Sequence, residues 1–137
     1  MMRKMSGRVR RFLRAADGAA AIEFAIIVPI FIMFCFGIIE AGRMMWIRNS
    51  IQTASEEAAR FAMAHASATD EELVAKAADY FDDVSIDTPT FTVVRDTTDG
   101  VDFVTVGGTY AFQFMFTFFD VGDIQLDGKA RVPLTPS

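Results

Sequence analysis

Sixteen consecutive residues, Phe24 to Ile39, carry no charge, and this run constrains the fold more than anything else in the chain. With Ala19–Glu23 in front of it, the stretch is about 31 Å long as a helix at ~1.5 Å per residue. The hydrocarbon core of a bilayer is about 30 Å thick. The sequence therefore predicts one membrane-spanning helix over residues 19–41. A removed secretory signal is the rival reading. Its apolar region is shorter and ends at an A-x-A-like site, whereas a cut after Ala41 would leave bulky Ile39 at the −3 position. A retained helix fits better.

Charge sets the direction of the span. Residues 1–18 hold six basic residues (Arg3, Lys4, Arg8, Arg10, Arg11, Arg14) and one acid, Asp17. Everything after Gly18 holds seven basic and seventeen acidic residues. The positive-inside rule puts residues 1–18 in the cytoplasm as a basic leader and residues 42–137 on the opposite side. An acidic body behind a basic tip argues against nucleic-acid binding. The single cysteine, Cys35, lies within the apolar run, so no intrachain disulfide is possible.

One carboxylate, Glu23, interrupts the start of this segment, and an ionised side chain in hydrocarbon is costly. It could snorkel to the cytoplasmic interface. A second reading gives it a partner. Cutting after Gly18 would free the amino group of Ala19, one helical turn from Glu23, and the two charges would form an i, i+4 pair. A neighbouring subunit's amino terminus could serve equally. Either pairing is stronger in a low dielectric than in water. We favour the pairing, because the glycine-to-glutamate spacing follows directly on the basic leader. The small run Ala19-Ala20-Ala21 leaves room for a protease or another helix. Pro29 removes one backbone hydrogen bond, marking either a tolerated membrane proline or a place where the helix bends or unwinds.

Asp17-Gly18-Ala19-Ala20-Ala21-Ile22-Glu23-Phe24-Ala25, then Pro29, then Phe36-Gly37-Ile38-Ile39-Glu40-Ala41-Gly42-Arg43, resemble the TadE-like family. Its members are minor pilins, or pseudopilins, of the tight-adherence (Tad/Flp) type IVb pilus system. The resemblance implies a precursor cut by a prepilin peptidase, with Gly18 before the cut, Ala19 as the new terminus and Glu23 at the fifth mature position. It assigns Gly37, Glu40, Gly42 and Arg43 to a motif behind the membrane segment. It also implies a bacterial inner-membrane location, with the N-terminus cytoplasmic, a periplasmic C-terminal domain and a role in pilus assembly and surface adhesion. The implied partners are the prepilin peptidase, a second pseudopilin, the major Flp pilin and the inner-membrane pilus platform. The alternative is an uncleaved signal-anchored protein whose periplasmic domain binds a ligand or an envelope partner.

The remainder reads as a small α+β domain, pilin-like, with helical cover on a three- to four-stranded antiparallel sheet. Ile47, Ile51, Ala54, Ala58, Phe61 and His65 recur at helical spacing and predict a helix over 42–66, continuous with the membrane segment. Thr69 and Glu72 form a capping box that opens a second helix over 70–82, with Leu73, Ala77 and Phe81 on one face. Strands are expected within 84–133: Phe91–Arg95, a loop at Asp96–Gly100, Val101–Val106, an aromatic strand through Tyr110, Phe112, Phe114, Phe116 and Phe118, and a last one from Ile124 to Val132. The Gly107-Gly108 pair reads as a bulge or turn. The aromatic stripe is expected to be core, with a subunit-binding patch as the alternative.

Enzyme chemistry is not expected. His65 is the only histidine, and no metal-ligand set, nucleophile elbow or phosphate loop occurs. No cofactor is expected. Asp120, Asp123 and Asp127-Gly128 do not match a calcium-loop spacing and read as acidic turn residues.

Overall fold

A computed structural model describes residues 16–84, 86–116 and 122–134. The element order is helix α1 (Ala16–Ala64), helix α2 (Asp70–Asp79), then strands β1 (Thr90–Thr98), β2 (Val101–Phe112) and β3 (Ile124–Pro133). The fold is α+β, as the sequence predicts. The chain divides into two units, meeting between Ile39 and Glu40.

In the first unit, α1 carries apolar side chains on every side. Phe24, Ile27, Ile30, Phe31 and Phe34 are all exposed. None of this window is covered by protein. A helix apolar all round needs an apolar surrounding, and its length and composition suffice to cross a membrane. The helix runs unbroken through Pro29. Within the described residues it already runs from Ala16, before the expected start at residue 19, and its alanines favour helix.

The second unit is built on the rest of α1. Ile47, Ile51, Ala54 and Ala58 are fully buried, so the predicted stripe packs within the domain. Phe61 is half-buried, and His65 is exposed just past the helix end at Ala64. Ala59, Ala62 and Ser55 widen the buried face. Each buried isoleucine contributes about 1.5–3 kcal/mol relative to exposure.

The Thr69 hydroxyl accepts from the Glu72 amide at 3.2 Å, and Glu72 accepts from the Thr69 amide at 2.9 Å. This is the expected capping box. Helix α2 stops at Asp79, short of the predicted residue 82, with Tyr80 as its cap. Lys76 reaches Glu57 of α1 at 3.3 Å. Arg95 of β1 bonds Asp70 at 2.7 Å and the Ala68 carbonyl at 2.6 Å. The α1–α2 corner is thereby tied to the sheet.

The sheet is an antiparallel meander in the order β1-β2-β3. Several sequence expectations need correction. The loop at Asp96–Gly100 is a two-residue turn, because Asp99 (φ 53°) and Gly100 (φ 78°) both take the left-handed conformation that a tight hairpin demands. Val101–Val106 and the aromatic segment are one strand, and Gly107-Gly108 lies inside its regular pairing. The aromatic strand ends at Phe112: Phe114 and Phe116 lie beyond β2, and Phe118 falls outside the described residues.

Two sheet glycines leave no room for a side chain, Gly128 because α1 crosses the sheet there and Gly108 because Phe91 of β1 and Ile51 of α1 crowd it. Gly108 pairs with Gly128. A Cβ at Gly108 would come within 2.5 Å of Phe91 and 2.8 Å of Ile51. At Gly128 it would meet the Gln52 backbone nitrogen at 2.8 Å. Asp127-Gly128 is therefore mid-strand and not a turn. On the β3 edge, the Gln52 side-chain amide donates to the Lys129 carbonyl at 3.1 Å and accepts from the Lys129 amide at 3.1 Å. It occupies the hydrogen-bonding groups that an edge strand otherwise offers to another chain.

Candidate functional site

The sequence-predicted residues fall into two groups, one in each unit. Gly18, Ala19, Glu23 and Pro29 lie in the first. Gly18 is inside the helix and exposed, with open space where a Cβ would project. Ala19 and Glu23 are four residues apart on one continuous helix, hence on the same face. Glu23 is exposed and forms no ion pair among the described residues. A carboxylate so placed has room for a cation beside it. The Gly18–Ala19 peptide bond is helical, so a protease needing extended backbone must unwind the helix there. Gly18 makes that easier, since glycine weakens a helix by about 1 kcal/mol relative to alanine.

Gly37 is exposed within the apolar run, again with open space where a Cβ would project. Glu40, Gly42 and Arg43 open the second unit. Here the structure joins residues that the sequence only lists side by side. Glu40 is buried. Its Oε2 accepts from Arg43 Nη2 at 2.9 Å and from Nε at 3.2 Å. Its Oε1 accepts from the Met115 amide at 2.8 Å. Arg43 also donates to the Gln113 carbonyl, and its guanidinium lies 4.3 Å from the centre of the Phe112 ring. Two side chains one helical turn apart thus hold the chain as it leaves β2. Gly42 is exposed, with nothing near it.

Sequence reasoning missed Phe112, Gln113 and Met115 as partners of this clamp. The i, i+3 spacing of Glu40 and Arg43 was the available signal. It shows a pair, but not the third party 75 residues away.

An open groove of about 530 Å³ adjoins the clamp, lined in part by Arg43, Asp87, Thr109, Tyr110 and Met115. Among the described residues no group of three or more His, Cys, Asp or Glu side chains could hold a metal. Asp123 and Asp127 are exposed, and Asp120 lies outside the described residues.

No curated protein and no solved structure matches the chain. Residues 18–60 match the family model described as TadE-like protein. That match begins at the glycine before Ala19, takes in Glu23, Glu40 and Arg43, and ends four residues before α1 does. From Gly18 to Arg60, within α1, the chain is similar to the TadE-like proteins.

Proposed function

We propose that the chain is the precursor of a minor pilin or pseudopilin of the Tad/Flp pilus system, cut between Gly18 and Ala19 by a prepilin peptidase. The observation that carries this reading is the exposed Glu23 carboxylate, one turn after Ala19 at the start of a membrane-length helix, inside the TadE-like match. Processing creates an ammonium at Ala19. Glu23 pairs with it, or with that of a neighbour, in a medium where the pair is strong and an unpaired charge is costly.

In this reading the protein sits in the bacterial inner membrane by a single pass. Its leader is cytoplasmic and the unit from Glu40 onward is periplasmic. It works in pilus assembly and so in surface adhesion, beside a second pseudopilin, the major Flp pilin and the inner-membrane platform. The Glu40–Arg43 clamp serves by keeping the periplasmic unit ordered at the point where the helix leaves the bilayer. No catalytic role is proposed.

The test is Gly18→Arg in a host carrying an active prepilin peptidase. The variant should accumulate in the membrane fraction as the uncut precursor. Normal maturation of Gly18→Arg would place the cut elsewhere. The helical backbone at Gly18 and Ala19 favours a second reading, an uncleaved signal anchor with a periplasmic binding domain, since that bond must unwind before it can be cut.

A further inference from the structure

Glu40 is the first residue after the uncharged run Phe24–Ile39. It is also the residue that fixes the chain following β2, through the 2.8 Å bond from the Met115 amide. The height of Met115 is therefore tied to the point where the apolar helix surface gives way to polar sequence. Met115 is 67% exposed and Phe116 36%. On the helix itself, Met45 and Trp46 are exposed as well.

We propose that Met115, Phe116, Met45 and Trp46 form a lipid-docking rim, seated in the headgroup and upper acyl region of the bilayer that α1 crosses. The inference rests on the membrane-spanning reading of α1. Trp46 is about 9 Å beyond Glu40 at ~1.5 Å per residue. The interfacial layer is roughly 5–7 Å deep on each side of the hydrocarbon. Helical side chains lean toward the N-terminal end of their helix. For α1 that is the membrane end, so Met45 and Trp46 reach back toward the interface. Indole and thioether groups suit this layer, where one side of the group is apolar and the other wet. The clamp supplies the missing constraint, because it holds a sequence-distant apolar loop at the level of the helix exit. Glu40, which holds this loop, directly follows the membrane-length apolar run in sequence, and that selects lipid over a second copy of the chain as the occupant.

The test uses the full chain in vesicles of phosphatidylethanolamine and phosphatidylglycerol. The only cysteine is removed by Cys35→Ser, and an environment-sensitive dye is placed at one of three new cysteines. These are Met115→Cys, Ile30→Cys within the apolar run, and Val101→Cys at the opposite end of β2. Lipids bearing a quencher deep in the acyl chain should quench the dye at position 30, and lipids bearing one high on the chain should quench it at position 115 several-fold more than at 101. They should also quench Trp46, the only tryptophan. Aqueous iodide should show the reverse order.

Equal iodide access at 115 and 101, with strong lipid quenching at 30, would overturn the docking rim while leaving the anchor intact. Weak lipid quenching at position 30 would overturn the anchor and the rim with it. Shielding at 115 that persists in detergent and falls on dilution would assign the surface to a second copy, and that also overturns the proposal.

Discussion

The Glu40 carboxylate and the Met115 amide, 75 residues apart in sequence, meet at 2.8 Å. Arg43 completes the contact by bonding Glu40 and the Gln113 carbonyl. Helix α1 and the end of β2 are thereby fastened at the first turn beyond the apolar run.

Removing this fastening should be costly. Glu40→Ala leaves the Met115 amide and the Arg43 guanidinium without their acceptor. The expected loss is about 1–3 kcal/mol, less than for a fully buried pair because Arg43 can rehydrate. Urea unfolding of the full chain in detergent, followed by Trp46 emission, should show a lower midpoint. An unchanged midpoint would mean the clamp adds nothing to stability.

Gly128→Ala should destabilise more than Gly108→Ala. The new methyl at 128 meets helix backbone, which cannot swing aside, whereas at 108 its nearest neighbours are the side chains of Phe91 and Ile51. Overpacking of this kind costs about 1–3 kcal/mol. Thermal melts of the two variants check the order.

Acid should weaken one exposed tie across the outer face of the sheet. The hydrogen bond from Arg131 holds the Asp96 carboxyl below its ordinary value of 3.8, against a smaller upward push from burial, with Thr98 and the Arg131 charge helping. A carboxyl depressed in the folded state stabilises fully above the unfolded value, and the gain is lost as pH falls through the folded one. Asp96→Asn should therefore lower the melting temperature slightly at neutral pH. The difference should vanish in strong acid and shrink with added salt.

Glu23→Ala should insert and be processed, yet fail to co-purify with its pilus partners. Glu23→Gln should fail similarly, since it keeps the shape but not the charge. Unchanged co-purification of either variant would remove the pairing role.

Much of this was legible locally. The uncharged run, the stripe Ile47-Ile51-Ala54-Ala58 and the Thr69–Glu72 capping box depend on spacings of three or four residues. The alternation of Leu126, Gly128 and Ala130 along β3 depends on a spacing of two. These periods are the geometry of the elements themselves. What escaped depends on tertiary approach. Gly107-Gly108 carries the local signature of a turn, but the closeness of Phe91 and Ile51 explains Gly108 within a regular strand. The aromatic alternation from Tyr110 onward continues past Phe112, where pairing with β3 ends. Glu40 captures the chain two residues beyond Gln113, and no short-range pattern encodes that capture. The pairing of Gln52 with the β3 edge is invisible for the same reason. For the candidate site, the order Gly18, Ala19, Glu23 was readable because it lies within about a turn and a half, whereas the other half of the clamp was not.

The most direct measurement is the intact mass of the protein taken from its native membrane, in cells with an active prepilin peptidase. The account predicts a polypeptide beginning at Ala19. A polypeptide that keeps Gly18 and the basic residues before it would contradict the account.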